Sequence, residues 1–221
     1  MSFFNKIADN RNTNSYANKL RRRRFAFFLS LIKDIPRPLR IIDIGGTENY
    51  WEQMGVLPSE DIHITLLNLK ETKVKYPNVV SVPGDARNIK DFADNSFDIA
   101  FSNSVIEHVG TYNDQLAMAG EMTRLAKKIY LQTPNKYFPL EPHFLFPFFQ
   151  FFPIRMRVWL LMRFKLGWYP RFKEKSKATE VAKSIRLLSY KELKSLFKGA
   201  EIKKEKIFGI TKSFVLIKGW E

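Results

Sequence analysis

Two histidines in this chain stand beside carboxylates, and either pair could move a proton. Glu107 directly precedes His108, and Glu141 lies two residues before His143. Imidazole exchanges its proton near neutral pH, which suits it to general-base work. Each has a simpler reading: His108 as a helix-start residue bonded to backbone or ligand, His143 as a loop residue packed among prolines. The third histidine, His63, falls inside an apolar run and reads as structural. The chain has no cysteine, so disulfides and thiolate chemistry are excluded. No His/Asp/Glu set has metal-ligand spacing along the sequence, so no catalytic metal is expected.

A second group of polar residues stands at the ends of short β-branched or aromatic runs. Asp43-Ile-Gly45-Gly46 follows Ile41-Ile42, and Asn68 follows the run from Ile62 to Leu67. Asp85 and Ala86 follow Val79–Val82, while Asn103 and Ser104 follow Phe97–Phe101. If the runs are parallel strands, these residues line the crevice outside the strands' carboxyl ends, where such sheets bind ligands. Glycine after the first strand lets the backbone turn sharply and approach a ligand closely.

The elements that would position these residues alternate. A helix is expected over 14–34, with Phe25, Phe28, Leu29 and Ile32 as its apolar stripe and Pro36 and Pro38 beyond it. Strands are expected at 40–44, 62–68, 79–82, 97–101 and 128–132, with a helix across 113–126. Ser189-x-x-Glu192 has the form of a capping box opening another helix. Two late strands, around 201–208 and 213–218, are joined by Gly209-Ile-Thr211 and should pair antiparallel at a sheet edge. The expected fold is α/β: a Rossmann-like, doubly wound, mostly parallel seven-stranded sheet with an antiparallel C-terminal hairpin. One domain accounts for 1–221, within the usual size of a single core. It divides into a basic helical segment (1–39), a ligand-binding core (40–135), an insert (136–188) and a C-terminal helix with hairpin (189–221).

Charge follows the same division. The net charge is +15. Residues 1–40 carry 10 Lys/Arg against 2 Asp/Glu, residues 41–136 carry 9 against 13, and residues 137–221 carry 18 against 7. Basic flanks around a mildly acidic core suit an anionic partner such as phospholipid or a phosphorylated substrate; nucleic acid is the less favoured partner. Arg21–Arg24 span more than one helical turn, so they read either as a solvated helix start or as an anion contact. The insert is aromatic, with 13 Phe/Tyr/Trp in residues 137–172. Its longest uncharged run, Pro142 to Ile154, has 13 residues, too few to span a bilayer. Arg155, Arg157, Arg163 and Lys165 spread around a helical wheel without a clean polar face. The insert therefore reads as a lid over an acceptor or as a shallow contact with an anionic membrane surface. The N-terminal sequence Met1-Ser-Phe-Phe-Asn-Lys lacks signal-peptide order, so a cytoplasmic location, at most peripheral on the inner membrane face, is expected.

The order of polar residues over about 40–135 resembles a class I S-adenosylmethionine-dependent methyltransferase of the type called methyltransferase domain 11. Thr133-Pro-Asn-Lys-Tyr-Phe-Pro-Leu-Glu-Pro-His143 also resembles a segment that follows the core in bacterial members. The resemblance implies S-adenosylmethionine as cofactor. Asp43, Gly45 and Gly46 would lie at its methionine end, and Asn68 at the ribose. Asp85 and the Ala86 backbone would meet the adenine, and the stretch Asn103, Ser104 to His108 would border the methyl group. Thr47 and Asn49 stand where the family usually has glycines, and Asn68 where it has a carboxylate. A nicotinamide dehydrogenase would need Gly at 47 and 50, where Thr47 and Tyr50 stand. Ser102-Asn-Ser-Val105 replaces the Asn/Asp-Pro-Pro-aromatic turn of base-modifying amino-methyltransferases. The resemblance leads to methyl transfer to oxygen, or to nitrogen, of a small-molecule, glycan or lipid-linked acceptor, with His108, His143 and Glu107 as candidate catalytic groups. An RNA methyltransferase and a cofactor-binding module without catalysis remain as alternatives. Oligomeric state is not legible.

Overall fold

β-Branched runs buried on both faces build the centre of the fold. A computed structural model describes residues 16–220. The N-terminal hexapeptide and the first two residues of the helix expected over 14–34 lie outside the described residues. β1 (Leu39–Ile44) is buried at every position except Arg40. It pairs parallel with β2 (Ile62–Asn68) on one side and β4 (Phe97–Asn103) on the other. β3 (Val79–Pro83) continues outward from β2, and β5 (Ala126–Pro134) from β4, both parallel. Strands covered on both faces read as near-continuous apolar runs, which is why β1, β4 and β5 are legible in the sequence; β3, at the sheet edge, alternates buried and exposed positions.

The sheet order is β3-β2-β1-β4-β5-β9-β8. β9 (Ile210–Lys218) runs antiparallel to β5, and β8 (Glu201–Ile207) antiparallel to β9. The expected hairpin is present, but its turn is tighter than the three residues read from sequence. Phe208 (φ +48°) and Gly209 (φ +79°) alone form it. Two successive positive φ values match the right-handed twist of the flanking strands. β6 (Leu140–Glu141) and β7 (Phe146–Pro147) form a separate small ribbon in the insert.

Helices cover both faces. α1 (Tyr16–Ile32) and α2 (Glu48–Gln53) pack on one, where Phe25, Phe28, Ile32 and Trp51 meet Phe101 and Tyr130. Each such side chain taken out of water contributes about 1.5–3 kcal/mol. Leu29, expected in the α1 stripe, is 38% exposed. On a 100° wheel it points about 40° to the far side of Phe25 from Phe28, off the buried face. The other face holds α3 (Tyr112–Leu125), with Met118, Met122 and Leu125 against the sheet, and α6 (Tyr190–Leu196). α6 opens with the expected capping box: the Ser189 hydroxyl accepts from the Glu192 N–H, and the Glu192 carboxylate accepts from the Ser189 N–H.

The insert has its own core. Phe144, Phe149, Val158, Leu161 and Leu166 pack with Ala178 and Ala182, joining α4 (Ile154–Arg163) to α5 (Lys175–Lys183). Two ties fix it: the Lys136 N–H donates to the Leu188 carbonyl, which closes the insert's two ends on each other, and the Arg186 N–H donates to the Glu107 carbonyl. The second tie holds the insert's end directly on the segment that carries His108.

Candidate functional site

Chain order reverses at β1, because β2 and β3 lie to one side and β4 and β5 to the other. A crevice opens at such a point, beyond the strands' carboxyl ends. The loop after β1 borders it. Gly45 has φ +77°, and a Cβ there would lie 2.5 Å from Val105 Cγ2. At Gly46 a Cβ would lie 1.7 Å from Asp43 Oδ2, so any side chain would displace that carboxylate. Thr47 is not a failed glycine. It has extended backbone and caps α2, its hydroxyl accepting from the Tyr50 N–H.

Asp43 is 1% exposed. Its Oδ2 accepts from Trp51 Nε1 at 2.8 Å, while its Oδ1 has no partner. Burial pushes its pKa up to about 7, and the Trp51 hydrogen bond only partly opposes that. Asn68 Nδ2 donates to the Gly46 carbonyl at 2.9 Å. The side chain expected at a ribose thus also ties down the loop, leaving its oxygen as an acceptor.

Two cavities meet at Gly45. The larger, about 440 Å³, is lined by Ile44, Leu67, Asn68, Asp85, Ala86, Val105 and His108. Its aliphatic walls with a few polar groups suit a flat ring attached to a sugar. The smaller, about 160 Å³, is lined by Arg21, Asp43, Gly46, Thr47, Asn49, Tyr50 and Asn103. It presents one cation and one carboxylate, which suits an amino-acid zwitterion. Arg21 lies 5.5 Å from the centre of the Tyr50 ring, and burial lowers its pKa from the usual guanidinium value.

Asp85 is committed in part: Arg87 binds both of its oxygens and also reaches Asp114. Arg87 accordingly holds the Asp85 pKa below the usual carboxylate range. A carboxylate has about four lone-pair sites, so Asp85 can still accept one more donor. Ser104 differs from expectation. It lines neither cavity; with φ +58° it turns its hydroxyl onto Gln132 Oε1 at 2.7 Å.

The two histidine–carboxylate pairs form one cluster. Glu107 and His108 lie on a 3-10 turn, Ile106–His108, directly after β4. The His108 and His143 rings meet edge to face with centres 4.8 Å apart. Glu107 is fully buried; its Oε2 accepts from Thr133 Oγ1 at 2.9 Å, and its Oε1 has no partner. Burial raises its pKa, although His143 and Thr133 oppose the shift. Glu141, 1% exposed, accepts from the His143 and Phe144 N–H groups and bonds His143 Nδ1 at 2.7 Å. Burial works to lower the His143 pKa, but the Glu141 and Glu107 carboxylates outweigh it and the net shift is upward. His108 moves the other way, down to about 4, through desolvation and then the neighbouring His143. Its ring is partly open to solvent, and the lowered pKa leaves it neutral at pH 7. His63 is an exposed strand residue away from this cluster.

Several site residues escaped the sequence reading. Trp51 and Thr133 hold carboxylates, yet nothing in an aromatic or a threonine announces a buried partner. Arg21 read only as one of four cations. Gly167 has φ +51°, and a Cβ there would lie 2.4 Å from the His143 carbonyl oxygen, so the loop behind His143 closes only on glycine.

Residues 48–129 match the family model described as a methyltransferase domain. That match contains Asn68, Asp85, Ala86, Asn103 and the Glu107-His108 pair. No curated protein matches the chain. Among solved structures, the N-terminal domain of EvdMO1, crystallised with SAH and D-fucose, is similar at a TM-score of 0.55 and 15% identity, over 90% of this chain and 82% of that one. The PH0226 protein of Pyrococcus horikoshii OT3 aligns at TM-score 0.54 and 15% identity, over 94% and 92%. The CurJ carbon methyltransferase aligns at TM-score 0.56 and 12% identity, over 93% of this chain and 55% of that one. At these identities the structures establish fold alone. Together these findings lead to one conclusion: residues 48–129 match a methyltransferase-domain model, and the chain carries the Rossmann-like fold seen in methyltransferases of known structure.

Proposed function

We propose that the protein methylates an oxygen of a sugar or lipid-linked small molecule, using S-adenosylmethionine. The residues present fit that cofactor. Asp43 Oδ1, which has no partner, would accept from its ammonium group, and Arg21 would bind its carboxylate. Asn68 would take a ribose hydroxyl, and Asp85 with the Ala86 backbone the adenine edge. When bound, the cofactor supplies a sulfonium methyl group.

The observation that carries the acceptor type is the cluster of Glu107, His108 and His143, of which His108 lines the larger cavity. A hydroxyl must lose its proton before or during transfer, whereas a free amine needs no such help. Two of the three histidines in the chain gather at this point. Glu141 fixes the His143 ring through Nδ1, which leaves Nε2 for work on the acceptor side. Aligning the acceptor is the insert's task, since His143 belongs to it.

A lipid-linked acceptor is favoured by α4. Arg157 turns inward and donates to the Ala182 carbonyl, and the helix ends at Arg163, before Lys165. The helix's exposed residues are then Arg155, Met156, Trp159 and Arg163, which fall within about 100° of one another on a helical wheel. Two cations flanking an exposed tryptophan form the kind of face that lies against anionic headgroups. No helix among the described residues is long and apolar enough to cross a membrane.

Labelled-methyl transfer into fractionated cell extract tests the reading. Label should enter glycan or glycolipid material and resist nuclease. His143→Ala should lower kcat by roughly 10²-fold or more while cofactor affinity stays unchanged. Label confined to nuclease-sensitive material would replace this acceptor with RNA. Undiminished turnover in both His143→Ala and His108→Ala would remove the cluster from the reaction.

A further inference from the structure

We infer that Glu107, His108 and His143 form a binding site for a divalent transition-metal ion of the zinc kind. The use of the ion in catalysis rests on the methyl-transfer reading above; its binding does not. One candidate ligand atom from each of the three residues lies within 4.8 Å of the other two. Around a tetrahedral ion with bonds of about 2.1 Å, ligand atoms stand about 3.4 Å apart. Closing the group therefore takes a shift of up to about 1.4 Å, and the solvent-open ring of His108 is free to make it.

Three further observations point to a cation. Glu107 is fully buried and its Oε1 has no partner, an arrangement that costs free energy unless something positive meets that oxygen. Glu141 bonds His143 Nδ1, the carboxylate–histidine arrangement that fixes tautomer and ring direction for a metal on Nε2. Glu107 and Glu141 are both buried, yet neither has a Lys or Arg at ion-pair distance among the described residues. A divalent cation would balance the two carboxylates.

Two imidazoles and one carboxylate leave a fourth position open, the pattern of a catalytic rather than a structural ion. His108 lines the larger cavity, so an acceptor held there could reach that position. An acceptor hydroxyl coordinated there would release its proton to solvent at a lower pH than when free. The imidazoles then serve as ligands, and the cluster activates the hydroxyl through the ion.

Cobalt(II) added to chelator-treated full-length protein is the test. The expected result is one equivalent bound, visible absorption bands typical of four- or five-coordinate cobalt, and displacement by zinc. His108→Ala and His143→Ala should each lose these bands, and Glu141→Gln should weaken binding by about 10–100-fold. His63→Ala should behave as the parent protein. His108 is a solvent-open residue, so His108→Ala reports on ligation even if the buried variants fail to fold. No bands at millimolar cobalt, or equal binding in the parent and His108→Ala proteins, would overturn the site. Calorimetry with S-adenosylmethionine on the same preparation separates the two readings. Cofactor binding without cobalt binding removes only the metal, and cobalt binding without cofactor binding removes only the methyl donor.

Discussion

Asp43 shows how much chemistry one residue can hold in tension. The fold buries its carboxylate and gives it a single donor, Trp51, so its pKa rises to about 7. A carboxyl group with a raised folded-state pKa binds more protons in the folded than in the unfolded chain. Its favourable contribution is therefore present at low pH and lost as pH rises from 3.8 to about 7. At about 1.4 kcal/mol per pH unit the loss reaches on the order of 4 kcal/mol at most. Asp43→Asn should remove that part of the slope, so chemical denaturation at pH 5 and pH 8 should show a larger loss of stability in the parent than in the variant. Cofactor binding should respond in the opposite sense. If ammonium pairing needs the ionised carboxylate, the parent's affinity falls by up to about tenfold per pH unit below 7, and the variant binds weakly at every pH. A parent affinity that is flat between pH 5.5 and 8 would show that Asp43 does not meet the ammonium group. The strand-to-glycine pattern made Asp43 legible. Trp51, eight residues on, was not, because burial beside a carboxylate is a property of the folded chain.

Elements, more than single residues, decide which of the basic groups are functional. Arg21–Arg24 occupy successive positions on α1, about 100° apart, so packing divides them. Arg22 and Arg23 are exposed, Arg24 pairs with Glu205 at 2.9 Å, and Arg21 reaches the smaller cavity. The sequence reading offered all four the same two alternatives; packing divides them three ways. Strand positions were legible for the opposite reason, since a parallel strand states its burial residue by residue. The joining of Glu107-His108 to Glu141-His143 was hidden, because it depends on how the insert folds back. Arg186 and Gln115 accomplish this: Gln115 Nε2 donates to both the Ile106 and the Arg186 carbonyls, and Arg186 bonds the Gln115 side chain in return. Arg21→Ala should weaken S-adenosylmethionine by about 10–100-fold, the scale of a hydrogen bond to a charged group. Calorimetry with decarboxylated S-adenosylmethionine supplies the control, because that ligand should bind parent and variant alike. Equal loss for both ligands would mean that Arg21 supports the fold of the cavity and does not contact the carboxylate.

At the scale of the whole molecule, the excess positive charge lies outside residues 48–129, in the N-terminal segment and in the residues after β5. Charge placed this way would attract an anionic surface without adding cations to the crevice beyond the strands. The exposed face of α4 would give that attraction a point of contact. Trp159 is 52% exposed and meets Phe164, itself 50% exposed, at 6.1 Å between ring centres. An aromatic pair left in water beside Arg155 and Arg163 is poorly explained by folding alone, and a headgroup layer would cover it. Full-length protein should therefore float with vesicles containing anionic phosphatidylglycerol and stay in solution with purely zwitterionic ones. Each arginine near such a surface contributes about 1 kcal/mol, so Arg155→Gln with Arg163→Gln should lower partitioning by roughly 30-fold, an effect that shrinks as salt is raised. Trp159→Ser should weaken binding with little change in salt dependence, since it removes burial and not charge. All three positions face solvent, so the variants should keep the parent's melting temperature. If the parent protein binds anionic and zwitterionic vesicles equally, or neither, the α4 face does not meet a membrane and the insert acts as a lid over a soluble acceptor.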